Sequence, residues 1–161
     1  MPNWAEQVTA IATVVLAVGA AGAVGAAVVA GQQLREARIG RQAEVASEFF
    51  QRWSDDAMVQ TRRLVASYGS PEALRDGLLR HLAVNDMEAY VLFREPDYFE
   101  QLAALEERGA IEFQLIHSLL GHRLLDRWQL WEPSINALGG PSVYPLFARL
   151  VHKMERAIAV H

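Results

Sequence analysis

The sequence predicts an all-α protein, with one N-terminal transmembrane helix followed by a small cytoplasmic bundle of about six helices. Three observations carry that expectation. No charged side chain lies between Glu6 and Arg35, and apolar residues fill Val8 to Ala30. Beyond that run, apolar residues recur at helical spacing in segment after segment. Strand signals are missing, because β-branched residues are few and no apolar–polar alternation is sustained.

The apolar run comes first. Crossing a hydrocarbon core of ~30 Å at about 1.5 Å per residue takes about 20 residues, which Val8 to Ala30 supplies. Against a cleaved signal peptide stand the N-terminal stretch MPNWAEQ, which has no Lys or Arg, and the length of the run, although Val28-Val29-Ala30 has the form of a cleavage site. A dinucleotide loop is excluded because Gly19, Gly22 and Gly25 are evenly spaced by three and no strand–helix–strand pattern follows. A helix apolar on every face is also hard to bury inside a chain of 161 residues.

Flanking charge sets the expected direction. Arg35, Arg38 and Arg41 follow the run and no basic residue precedes it, so the N-terminus is expected outside and the remainder in the cytoplasm of a cell with an inner membrane. Trp4 stands where an interfacial anchor belongs, and the three arginines lie within reach of anionic headgroups. Small residues at four-residue spacing let helices approach closely in lipid. Ala17, Ala21 and Gly25 make one such ridge and Gly22, Ala26 and Ala30 a second, so the expected membrane partner is a second copy or another membrane protein.

The organisation expected is an anchor over 1–31, a juxtamembrane stalk over 32–44 and a helical domain over 45–161. In the stalk, Gln33 to Glu44 is polar on most faces and Gly40 is a soft point. Val45, Ala46, Phe49, Phe50 and Trp53 then form a stripe that should face a core. Ser54-Asp55-Asp56 closes this helix and offers caps for the next, expected over Ala57 to Tyr68. Gly69-Ser70-Pro71 reads as stop, cap and first turn, opening a helix from Pro71 to Ala83.

Asn85 or Asp86 caps a segment holding Met87, Tyr90, Val91 and Phe93, which Pro96 should break or kink. Asp97 to Arg108 resumes the pattern and stops at Gly109. Ile111 to Trp131 is the next expected helix, interrupted by Pro133. Gly139-Gly140-Pro141-Ser142 is a loop, and Val143 to Val160 the last helix.

The order of features resembles the bacterial family known as domain of unknown function 4760. The pieces that carry the likeness are Gln33-Leu34-Arg35-Glu36-Ala37-Arg38, then Phe50-Gln51-Arg52-Trp53 with Met58 and Arg62-Arg63. Tyr98-Phe99-Glu100, Glu107 to Ile111, and Trp128, Trp131, Glu132, Pro133 and Ile135 complete it. The resemblance implies a membrane helix joined to a small helical cytoplasmic domain. It brings no activity and lends no catalytic residue.

Chemistry is sparsely represented. No Glu-x-x-His pair offers metal ligands on one helix face, and the zinc-protease and nucleophile-elbow patterns are absent. The five histidines read as surface or half-buried, and Asp55-Asp56 and Glu106-Glu107 as capping and solvated groups. Without cysteine there is neither a disulfide nor a thiolate metal site. A net charge of −4 argues against nucleic acid, although Arg62, Arg63, Arg75 and Arg80 are grouped. No enzyme, cofactor or metal is expected.

Aromatic residues are mostly core candidates, but Trp128 and Trp131 beside Glu132-Pro133 could line a partner groove. Two functions fit. One is a membrane-tethered interaction or accessory subunit that docks a partner at the cytoplasmic face. The other is an oligomeric, pore-forming defence effector.

Overall fold

A computed structural model of the protein describes residues 30, 32–33, 35–37 and 39–159, which divide into a unit ending at Arg41 and one beginning at Gln42. In the first unit the described residues are helical and exposed, Ala30, Arg35, Gly40 and Arg41 among them. Among the described residues no helix is long and apolar enough to cross a membrane. The expected span lies outside them except for Ala30, as do Trp4, Ala17, Ala21, Gly22, Gly25, Ala26 and Arg38.

The second unit is all-helical, with no strand among the described residues. Its helices are α1 (residues 42–54), α2 (Asp56–Ser67), α3 (Pro71–Ala83), α4 (Met87–Glu107), α5 (Phe113–Leu138) and α6 (Pro145–Ala159), with a 3₁₀ turn at Gly140–Ser142. Punctuation in the sequence sets many of these ends. Ser70 Oγ accepts a hydrogen bond from the Ala73 N–H at 3.1 Å, and Pro71 takes the first position of α3, where its missing donor is harmless. Gly69 before it sits at φ +75°, a left-handed conformation that a Cβ disfavours. Asp55 occupies the cap position of α2 without a side-chain hydrogen bond, so the expected capping role there is positional only.

The helix breaks expected at Pro96 and Pro133 are corrected. Pro96 lies inside α4 and Pro133 inside α5, and both helices run on. A proline removes one backbone bond and crowds the preceding turn. Here apolar burial on both sides holds the helix together: Leu92, Phe99 and Leu102 around Pro96, Trp128, Trp131 and Ile135 around Pro133. α5 also begins two residues later than expected, at Phe113, while Ile111 before it is buried.

The stripe on α1 is in the core: Ala46 and Phe49 are buried, and Val45, Phe50 and Trp53 pack against them. α3 packs along α5, and α4 is flanked by α2 and α6. An aromatic series crosses the middle, Phe49 stacked on Tyr98 at 4.3 Å, Phe99 on Phe147 at 4.9 Å, and Trp128 edge-on to Phe147 at 5.0 Å.

Acidic side chains of α4 fasten this core from one side. Fully buried Glu95 takes both a Nε and a Nη2 bond from Arg127 of α5, the latter at 2.6 Å. Glu100 accepts the N–H groups of Leu146 and Phe147 at 3.1 and 2.8 Å, capping α6 from another helix. Asp97 accepts the Tyr144 hydroxyl at 3.0 Å, and Glu106 pairs with Lys153.

Candidate functional site

The α3–α4 corner gathers ionisable groups with fewer structural duties. α3 ends in its last turn with Arg80 and His81, and the chain reverses through Val84 and Asn85. Asn85 adopts φ +53°, which Asn tolerates better than most residues, and the Asp86 N–H donates to the His81 carbonyl at 2.9 Å. Asp86 then caps α4 by accepting the Glu88 N–H at 3.2 Å. This tight reversal places residues five and seven apart in sequence around one imidazole.

His81 is held on both nitrogens. Its Nδ1 lies 2.9 Å from Asp86 Oδ2 and its Nε2 3.1 Å from Glu88 Oε2. The Tyr68 hydroxyl, from the residue capping α2, is also 3.1 Å from Nε2. The Tyr68 ring reaches this position by lying over Gly77, where a Cβ would overlap it. Only 18% of the His81 side chain is exposed, against 41% of Asp86 and 53% of Glu88, so the imidazole is sheltered while the carboxylates meet water.

Electrostatics follow from these contacts. Burial raises the Tyr68 phenol above its ordinary value, and the Glu88 carboxylate pushes it the same way. Asp86 is lowered, first by the Glu88 N–H and then by the bond from His81. A phenol made less acidic is not an activated nucleophile. Chemically the corner is suited to holding a proton or a cation between carboxylates.

Apolar side chains surround this corner in sequence and stand exposed. Val84 and Met87 are 71% and 73% exposed and Tyr90 58%. Leu79 and Leu82 on α3, and Leu115 and Leu119 on α5, are further exposed pairs at helical spacing. Elsewhere a groove of about 540 Å³ between α4 and α6 is lined by charges that pair with one another, Lys153 with Glu106 and Arg149 with Glu107 at 2.8 Å.

The residues singled out in the sequence fall differently. Trp128 and Trp131 are 7% and 1% exposed, so the groove expected there is replaced by core packing, with Trp131 Nε1 and Ser134 Oγ buried without partners. Glu106 and Glu107 serve ion pairs to α6 rather than solvation alone, and Asp55-Asp56 is exposed. His122 is exposed, His152 meets Glu155 at 3.1 Å, and His117 lies beside Phe113 with Nε2 unpartnered. Ligand spacing along a single helix face does not reveal the His81 cluster, because His81, Asp86 and Glu88 straddle a turn. The signal was available in the reading of Asp86 as a cap, which fixes α4's first turn against α3's last.

Comparison with protein-family models, curated proteins and solved structures gives no match to any of the three. The likeness to the domain of unknown function 4760 family rests on the residues quoted for it.

Proposed function

We propose that the chain is a single-pass membrane-anchored interaction or accessory-subunit protein, whose helical unit docks or stabilises a partner at the cytoplasmic face of an inner membrane. The observation that carries the reading is the exposed apolar set Val84, Met87, Tyr90, Leu115 and Leu119, on a unit whose other large apolar residues are mostly buried. Exposed apolar residues mark a contact site where they are grouped, as Val84, Met87 and Tyr90 are in sequence. The uncharged run from Gln7 to Leu34 supports the anchor, and the Arg-rich segment after it supports the orientation. Ala17, Ala21 and Gly25, with Gly22, Ala26 and Ala30, are the proposed packing ridges toward a second copy or another membrane protein.

The test is purification of the native complex in mild detergent, with mass measurement of the wild type and two variant pairs. A stoichiometric partner lost in Met87→Glu/Leu119→Glu supports docking through the helical unit. Loss in Gly22→Leu/Gly25→Leu places the contact in the span. A lone wild-type monomer overturns the proposal, and leakage of lipid vesicles by the purified protein favours the pore-forming alternative.

A further inference from the structure

We propose that the α3–α4 corner is a divalent-metal site, with zinc(II) the ion its donors suit, held by His81 Nε2 and the Glu88 carboxylate. The argument starts from spacing. Two donors at about 2.0–2.1 Å from a tetrahedral zinc ion are separated by roughly 3.3 Å. His81 Nε2 has two oxygens at nearly that separation, Glu88 Oε2 and the Tyr68 hydroxyl, each at 3.1 Å. An ion enters with an outward shift of only a few tenths of an ångström, and Glu88, half-exposed at the first turn of α4, is free to make it.

The second nitrogen completes the case. A metal-bound imidazole characteristically donates its other N–H to a carboxylate, which fixes the tautomer and the ring orientation. Asp86 Oδ2 stands 2.9 Å from Nδ1 and is itself fixed by its capping bond to the Glu88 N–H. With the proton on Nδ1 and donated to Asp86, Nε2 carries the lone pair that a metal ion takes. The ligand atoms of His81, Asp86 and Glu88 all lie within 4.8 Å of one another. The Tyr68 hydroxyl stays protonated beside the site, and the open side of the corner admits water to the remaining positions.

Imidazole nitrogen with carboxylate oxygen is a borderline donor set, suited to zinc rather than to calcium or magnesium, which take oxygen alone. The competing account is that His81 is an imidazolium clamping the two carboxylates with no ion present.

Titration of the full-length protein in detergent with zinc(II) by calorimetry, and with cobalt(II) by visible absorption, separates the two. We expect one ion per chain and cobalt bands of a low-symmetry site. His81→Gln and Glu88→Gln should each weaken binding more than tenfold, Asp86→Asn should weaken it about 10–100-fold, and His122→Gln should leave it unchanged. Far-UV circular dichroism establishes that each variant is folded, and Glu88→Gln, on an exposed side chain, serves if His81→Gln is not. Absence of saturable binding by folded wild type, or binding undiminished in folded Glu88→Gln, overturns the proposal.

Discussion

The two ends of α4 use the same residue types in opposite ways. From Glu95 onward its carboxylates reach across the fold: Glu95 to Arg127, Asp97 to Tyr144, Glu100 to the start of α6, Glu106 to Lys153. Those partners are 32 to 47 residues away in sequence. At the N-terminal corner Asp86 and Glu88 find their partner within seven residues, at His81, beside exposed Val84 and Met87. Charges bound to distant helices are committed to the fold. Charges bound locally at an open rim are available to something else.

The comparison is broken most severely at the buried pair. Arg127→Ala strands Glu95, which has no exposure, and should lower unfolding free energy by about 3–5 kcal/mol in urea titration. A loss under about 1 kcal/mol, within the range of an exposed pair, would mean that Glu95 is not committed as described. Gly77→Ala tests the junction between the two regimes. Alanine favours a helix by about 1 kcal/mol over glycine, but its Cβ would meet the Tyr68 ring. The net expectation is a loss of about 1–3 kcal/mol, together with a changed Tyr68 fluorescence or NMR signal.

Alkaline pH should act on the committed side. Burial raises the phenols of Tyr98 and Tyr144 above their ordinary value of 10.0, and Asp97 adds to the shift at Tyr144. Below that value both phenols are neutral folded or unfolded, and their contribution is fully present. Above it the unfolded chain ionises first, so stability falls as pH climbs through the folded values. Tyr144→Phe should lose about 1 kcal/mol at neutral pH with the Asp97 bond, yet show a shallower decline in urea midpoint above pH 10. The smallest effect belongs to the rim. Met87→Glu should alter stability by less than about 0.5 kcal/mol, whatever it does to a partner.

Legibility in the sequence divided along the same line. Pro71–Ala83 was readable to the residue because Ser70, Pro71 and Gly69 act on their own neighbours. Pro96 and Pro133 misled because their local penalty is outweighed by apolar contacts from other helices, which no local pattern displays. Trp131 beside Glu132-Pro133 had the composition of an interface, and only packing reveals that its ring is in the core. The His81 corner was hidden for a different reason: its periodicity is that of a turn, not of a helix.

The Glu100 cap also has a meaning in time. α6 follows the other described helices, and its first free N–H groups are satisfied by a carboxylate 46 and 47 residues upstream. On a ribosome α4 would emerge long before the segment it caps, leaving Glu100 solvated until Leu146 and Phe147 arrive. The contact must wait for the intervening chain, at a closure cost that grows only slowly with loop length. The Glu100–α6 contact is therefore a latch, closed only after Leu146 and Phe147 have been made.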